Sequence, residues 1–154
     1  STQKMPSENL AELYNMVDCT INISDAEGFG LATLESLSCG TPIIATMTGG
    51  LQEQVTDGDS DFGVGLIPTS KAVIGSQQVP YIYEDRVNKS QFHSALNKIY
   101  KMGKAERRRV GTLGREHILK NYNFVELQNK WVETIDKVIE NKENYSGIRF
   151  KEVA

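Results

Sequence analysis

The sequence predicts an α/β fold in which a parallel β-sheet carries helices on both faces and a helical region follows. Segments with the apolar spacing of helices alternate with short apolar strand segments between residues 7 and 68. A strand that is apolar almost throughout, such as PIIAT at residues 42–46, is typical of a parallel sheet covered on both sides. Beyond residue 88 the patterns are helical to about residue 141.

The elements of the first half follow from apolar spacing and glycine positions. In chain order we predict a helix from Ser7 with Leu10, Leu13, Tyr14 and Val17 on its apolar face, a buried strand at 19–24, a helix at 30–39, a strand at 42–46, a short helix at 51–56 and a strand at 64–68. Gly40 is expected to end the second helix, because glycine adopts the left-handed conformation at little cost. Residues 69–80 show no period and are interpreted as an inserted loop.

Three helices are predicted in the second half, near 88–102, 104–121 and 124–141. The last helix carries an apolar stripe made of Phe124, Leu127, Trp131, Ile135, Val138 and Ile139. Trp131 is interpreted as a core residue rather than a platform for a sugar. Residues 142–154 are interpreted as a charged tail.

Composition limits the functional class. The 154 residues suffice for one globular domain, and a net charge of −3 with a pI of about 5.4 argues against nucleic acid as a partner. Cys19 and Cys39 lie in apolar contexts and are predicted to be reduced core residues, which fits a cytoplasmic protein. His93 and His117 are isolated in the sequence, so no metal site is expected. The chain begins at Ser1, which suggests a fragment of a longer protein.

A basic segment stands out against this acidic background. Residues 98–120 contain eight basic and two acidic side chains. A solvated helix face is the interpretation that such patterns favour. The alternatives are a contact with an anionic membrane surface, as in a peripheral membrane protein, or with a phosphorylated acceptor.

The loop DAEGFG, residues 25–30, predicts a binding site for a phosphate. It leaves the carboxyl end of a strand and enters a helix, which is where open parallel sheets bind ligands. Gly28 and Gly30 allow a sharp turn and a close approach to a ligand. The first amides of the helix lack backbone partners and attract anions. We therefore expect a phosphate on the amides around Phe29, Gly30, Leu31 and Ala32.

Two carboxylates flank this predicted phosphate site. Glu27 lies in the loop, where it could reach a group just beyond the phosphate, and Glu35 lies about one turn into the helix. A carboxylate there could accept hydrogen bonds from the two adjacent hydroxyls of a ribose, as in dinucleotide-binding folds. A phosphate between a ribose and a polyhydroxylated group describes a nucleotide sugar. The alternative is that both glutamates are ordinary solvent-facing residues.

The segment EGFGLATLESLSCGTPIIATMTGGLQEQVTDG resembles the donor-binding signature of the retaining family-4 glycosyltransferases. The hallmark of that family is a pair of glutamates separated by seven residues, the spacing of Glu27 and Glu35. LAELYNMVDCTINIS is similar to the helix and strand that lead into the family's site. The resemblance, carried by residues 7–68, implies a GT-B fold of two Rossmann-like domains. Residues 1–141 would be the donor-binding, Rossmann-like domain, truncated at its N-terminus.

The resemblance also implies a role for each matched position. Glu35 would bind the ribose hydroxyls, and Glu27 would be the catalytic residue that contacts the transferred sugar near its reacting carbon. The other donor-binding positions would be Gly28, Phe29, Gly30 and Leu31, which hold the diphosphate and sugar hydroxyls through their backbone, and Gly49 and Gly50, which line the same cleft. The donor would be UDP- or GDP-linked, no metal or other cofactor would be needed, and transfer would retain the anomeric configuration.

The sequence departs from the family pattern in one respect. It has no counterpart of the basic pair that clamps the diphosphate, nor of the preceding domain that binds the acceptor sugar, glycan or lipid. The chain alone is therefore expected to be inactive, and part of its last helix is expected to contact the missing domain. Two alternatives stay open: a non-catalytic nucleotide-sugar-binding or interaction domain, and another GT-B enzyme such as a nucleotide-sugar epimerase or a glycogen-synthase-like polymerase.

Overall fold

The computed structural model describes residues 5–142, which separate into two compact units, one ending at Asn121 and the other beginning at Tyr122. The charged tail predicted for residues 142–154 lies outside the described residues from Glu143 onward. Within the described part of the chain, no helix is long and apolar enough to cross a membrane.

A three-stranded parallel sheet forms the centre of the first unit. Strands β1 (Thr20–Asn22), β2 (Ile43–Thr46) and β3 (Gly63–Leu66) lie in that order. Every residue of β2 is buried, which is what its continuous apolar sequence requires. The predicted parallel α/β sheet is thereby confirmed.

The edge of this sheet corrects one prediction. We expected a buried strand at residues 19–24, but β1 is an edge strand of three residues, and the Ile21 side chain is 49% exposed. Helix α1 (Ser7–Met16), which precedes β1, has no fully buried residue. The apolar residues recur at helical spacing as predicted, but the face that they form is not fully buried. Leu13 and Val17 are about half exposed.

Helices α2 (Leu31–Ser38) and α3 (Leu51–Val55) follow β1 and β2, as predicted. Gly40 ends the α2 segment with a φ of 75°, the left-handed conformation expected of it. α4 (Lys89–Lys101) packs on β3, where Ile44, Leu66, Ala95 and Ile99 form a buried cluster. α5 (Lys104–Asn121) packs against α2.

A β-hairpin occupies the segment that was interpreted as a loop. Strands β4 (Ser70–Ile74) and β5 (Ile82–Arg86) pair in an antiparallel register, so the prediction of an inserted loop over residues 69–80 is wrong. The two strands are separated by serine, glutamine and glycine residues, which interrupt the strand periodicity in the sequence. The hairpin depends on the pairing of Ile74 with Ile82 across its turn, which a scan for local periodicity does not detect.

The second unit contains helix α6 (Phe124–Glu140). The Asn123 side chain caps the helix by accepting hydrogen bonds from the backbone amides of Val125 and Glu126. The predicted helix is confirmed, but the prediction of Trp131 as a core residue is wrong. No residue of α6 is buried, and Trp131 is 61% exposed.

Candidate functional site

The predicted phosphate-binding loop leaves the carboxyl end of β1 and enters α2 at Gly30. Gly30 is buried and has a φ of 89°, a conformation that a residue with a side chain rarely adopts. A Cβ atom at this position would lie 2.3 Å from Leu51 Cδ2 in α3. The need for glycine at position 30 thus has two causes, backbone conformation and close packing.

The second glycine turn packs directly on this loop. The Gly50 amide donates a hydrogen bond of 2.9 Å to the Gly28 carbonyl. A Cβ atom on Gly49 would lie 1.7 Å from the Glu27 carbonyl oxygen, and Gly49 has a φ of 52°. The structure therefore brings together two segments that lie about twenty residues apart in the sequence.

A buried glutamine in α3, Gln54, supports the loop. The sequence analysis did not identify it. The Gln54 side chain is fully buried, and its Nε2 donates a hydrogen bond of 2.6 Å to the Phe29 carbonyl. The Gln54 Oε1 has no hydrogen-bond partner among the described residues. In the sequence, the only indication of this role is a polar residue on the inner side of a short helix. That residue alone does not identify the Phe29 carbonyl as its partner.

The start of α2 offers backbone donors to an anion. Gly30 provides no side-chain cap, and its carbonyl accepts from the amides of Thr33 and Leu34. Within the described part of the chain, the amides of Leu31 and Ala32 have no hydrogen-bond acceptor. Uncapped amides at a helix N-terminus favour a negatively charged ligand.

The side chains around these amides face solvent. Phe29 is 50% exposed and Leu31 is 65% exposed, so both could touch a ligand only from the rim of the site. Glu27 is partly buried, and its Oε1 accepts a hydrogen bond of 3.1 Å from the Gly28 amide. The Glu27 carboxylate is thus held against the backbone of its own loop.

Glu35 has a partner that the sequence analysis did not predict. The Tyr14 hydroxyl in α1 donates a hydrogen bond of 2.9 Å to Glu35 Oε2, across 21 residues of sequence. Burial, together with the neighbouring Glu35 carboxylate, raises the pKa of Tyr14 to about 12. The hydrogen bond fixes one oxygen of the carboxylate and leaves the other for a ligand.

The base of the hairpin is attached to the same loop. The Asp85 amide donates a hydrogen bond of 2.7 Å to the Asp25 carbonyl, and Arg86 Nη1 lies 2.8 Å from Asp25 Oδ2. Arg86 Nη2 also lies 2.6 Å from Glu84 Oε2. These contacts tie β5 to the loop two residues before Glu27. No pattern in the sequence connects residues 25 and 86.

No group of three or more histidine, cysteine, aspartate and glutamate side chains that could hold a metal lies within residues 5–142.

The His117 ring contacts neighbouring residues of the first unit. It lies 4.5 Å from the Phe62 ring, and its Nε2 is 2.9 Å from the Glu53 carbonyl oxygen.

Most of the sequence matches a known family. The model of the family described as glycosyl transferases group 1 matches residues 2–117, which is most of the chain and includes every predicted site residue. The chain belongs to the group 1 glycosyltransferase family.

Individual members of the family are similar over shorter stretches. N-acetyl-alpha-D-glucosaminyl L-malate synthase of Bacillus anthracis is 28% identical over 100 residues, covering 65% of this chain and 26% of that protein. D-inositol 3-phosphate glycosyltransferase of Acidothermus cellulolyticus is 48% identical over 56 residues, covering 36% of this chain and 12% of that protein. The chain thus spans about a quarter or less of the length of these relatives.

A solved structure shows the same fold. The sucrose-phosphate synthase of Thermosynechococcus elongatus superposes on 90% of this chain and 29% of its own chain, with a TM-score of 0.70 and 23% sequence identity. This group 1 glycosyltransferase chain therefore has the fold of a GT-B glycosyltransferase domain, as the resemblance implied.

Proposed function

We propose that the chain is the donor-binding part of a retaining glycosyltransferase that uses a UDP- or GDP-linked sugar. The observation that carries the proposal is the packing of the Gly49–Gly50 turn on the loop of residues 27–30. This packing places the Gly49–Gly50 turn against the loop that leads into the uncapped amides of α2, which lie between Glu27 and Glu35 in the sequence. A nucleotide sugar has matching chemistry, because its diphosphate lies between a ribose and a second polyhydroxylated ring.

The diphosphate is proposed to bind the amides of Leu31 and Ala32. Those amides and the α2 dipole would stabilise the charge that develops on the leaving diphosphate. The proposal needs no metal ion, because fixed backbone donors supply the stabilisation. The fixed conformation of Gly30 supports this role, since the donors need no reorganisation when the ligand binds.

The ribose is proposed to bind Glu35. Both ribose hydroxyls can donate to one carboxylate, and the hydrogen bond from Tyr14 restrains the rotation of that carboxylate. Glu27 is proposed to contact the transferred sugar near its anomeric carbon and to stabilise positive charge there electrostatically. In this scheme the leaving diphosphate assists deprotonation of the acceptor on the same face of the sugar, so the configuration is retained.

The acceptor is proposed to bind a further domain of a longer protein, because the chain spans only about a quarter of its relatives. The acceptor would be a sugar, a glycan or a lipid, and transfer would take place in the cytoplasm, with a peripheral membrane contact if the acceptor is a lipid. The present chain would bind the donor without catalysing transfer.

Calorimetric titration with UDP, GDP and the matching nucleotide sugars tests this proposal. Glu35→Ala should weaken binding by roughly 10- to 100-fold, because hydrogen bonds to a charged group contribute about 1.5–3 kcal/mol. Glu116→Ala is the matched control, since Glu116 is an exposed glutamate on α5, away from the donor loop. The nucleotide that binds more tightly identifies the donor class.

Two results would contradict the proposal. If a well-folded wild-type chain and a longer protein containing it both bind no nucleotide, the donor site is wrong. If Glu35→Ala and Glu116→Ala bind the nucleotide equally well, Glu35 is not the ribose ligand. Retention is tested separately, by NMR of the anomeric proton of the product formed by the longer protein.

A further inference from the structure

A cavity of about 480 Å³ lies at the end of the sheet opposite to the donor loop. Its walls come from the segment between α1 and β1, the turn between α2 and β2, and α5. Thr41 and Pro42 in its wall precede β2, whereas Glu27 follows β1. The two sites therefore lie at opposite ends of parallel strands.

Positive charge dominates the lining of this cavity. Its basic residues are Lys104, Arg107, Arg108 and Arg115, and its one acidic residue is Asp18. This concentration is local, since the whole chain carries a net charge of −3. Four of the eight basic residues in the segment noted in the sequence line this cavity.

Two of the four cations are fixed by the protein. Arg107 Nη2 lies 3.0 Å from Asp18 Oδ1, and its Nη1 donates to the Met102 carbonyl. Arg115 Nη1 donates to the Ser38 carbonyl. These contacts hold two guanidinium groups at the cavity wall, so little side-chain entropy remains to be lost there when a ligand binds.

The other two cations have no partner among the described residues. Neither the Lys104 ammonium nor the Arg108 guanidinium makes a hydrogen bond or ion pair there, and both side chains are exposed. The single carboxylate of Asp18 is already engaged by Arg107. An anion in the cavity would reduce the repulsion among the cations and engage the two unpaired ones.

We propose that this cavity is a second anion-binding site, separate from the donor site, and that it takes a phosphate ester. Arginine favours phosphate because its planar fork of N–H donors matches two phosphate oxygens. The volume exceeds what one phosphate group occupies, which leaves room for the organic part of an ester. The phosphate belongs either to a small molecule or to the headgroup of an anionic lipid, which share this chemistry.

The location of binding is tested by amide NMR of the 154-residue chain during titration with inorganic phosphate. The reporters of the cavity are the amides of Gly40, Thr41 and Thr112, and those of the donor loop are Gly28 and Gly30. Separate reporters are needed because the donor loop is also proposed to bind phosphate. We expect saturable shifts of the cavity reporters, weaker at high salt because the interaction is electrostatic.

The double variant K104Q/R108Q removes the two unpaired cations without breaking a hydrogen bond or ion pair within the described part of the chain. It should weaken the titration of the cavity reporters at least about tenfold, because charged hydrogen bonds are lost. The control R109Q/K120Q removes two charges from the same helix outside the cavity and should leave the titration unchanged. Cavity reporters that do not shift, or that shift equally in both double variants, would overturn the proposal.

Co-sedimentation with vesicles separates the two sources of phosphate. Vesicles that contain phosphatidylglycerol are compared with vesicles of phosphatidylcholine alone, for the wild type and K104Q/R108Q. Binding to the anionic vesicles that K104Q/R108Q loses would support a lipid headgroup. Cavity shifts with phosphate, but no vesicle binding, would support a small phosphate ester.

Discussion

Gly49→Ala tests the packing that creates the donor site. Gly49 has a φ of 52°, and an added Cβ atom would lie 1.7 Å from the Glu27 carbonyl oxygen and 2.8 Å from the Glu27 carbonyl carbon. Both contacts are with backbone, so a side-chain rotation does not relieve them. The substitution must move either the glycine turn or the loop that carries Glu27.

The expected loss of stability has two parts. A left-handed conformation costs a residue with a Cβ atom about 1–2 kcal/mol. Forcing an extra carbon into a packed site costs about 1–3 kcal/mol more. The lower entropy of the unfolded chain with alanine returns about 0.4–1 kcal/mol. The free energy of unfolding should therefore fall by roughly 1–5 kcal/mol.

Alanine substitutions at two other glycines separate the conformational cost from the packing cost. Gly58 has a φ of 94° but open space around its Cβ position, so Gly58→Ala should show the conformational cost alone. Gly28 has neither a positive φ nor a neighbour within 4 Å, so Gly28→Ala should be nearly neutral. Each variant is unfolded in urea and followed by far-UV circular dichroism.

The order of the three variants decides the outcome. The reasoning requires the loss of stability to increase from Gly28→Ala to Gly58→Ala to Gly49→Ala. If Gly49→Ala is no more destabilising than Gly58→Ala, the glycine turn is not pressed against Glu27. The cleft assigned to these two segments would then be refuted.

Three further predictions concern the surroundings of the site. The pKa of Tyr14 is raised from 10 to about 12, so its hydroxyl contributes stability below pH 10 that is lost as the pH rises towards 12. Over this pH range the free energy of unfolding in urea should fall more steeply for the wild type than for Tyr14→Phe. Equal slopes would contradict this prediction. Arg86→Gln should loosen the attachment of the hairpin to the donor loop, because it removes the ion pair with Asp25 but keeps the hydrogen bond from the Asp85 amide to the Asp25 carbonyl. Limited proteolysis of residues 70–86 should be faster, with little change in the free energy of unfolding because the pair is partly exposed; unchanged proteolysis would argue against the anchor. Burial raises the pKa of Cys19 to about 11, so alkylation by iodoacetamide near neutral pH should be much slower in the folded chain than in urea, and similar rates would show that the thiol is not protected.

Most elements could be predicted from the sequence because their causes are local. The φ of Gly40 and the end of α2 depend on a few neighbouring residues, as do the apolar periods of α4, α5 and α6. The hairpin was missed because strand pairing joins residues that are apart in the chain. The exposure of Trp131 was missed because periodicity predicts an apolar face but does not supply the element that covers it.

The sequence by itself determined the α/β order of elements, the glycine loop and the spacing of Glu27 and Glu35, because backbone preference and periodicity act over one or two turns of chain. The tertiary structure alone decided which groups from distant parts of the chain contact those residues. Only packing around the sheet brings Gly49 onto the Glu27 carbonyl and Tyr14 onto the Glu35 carboxylate, and only packing gathers cations of α5 around the turn before β2. Contacts between segments so far apart are set by how helices cover a sheet, which no local pattern specifies.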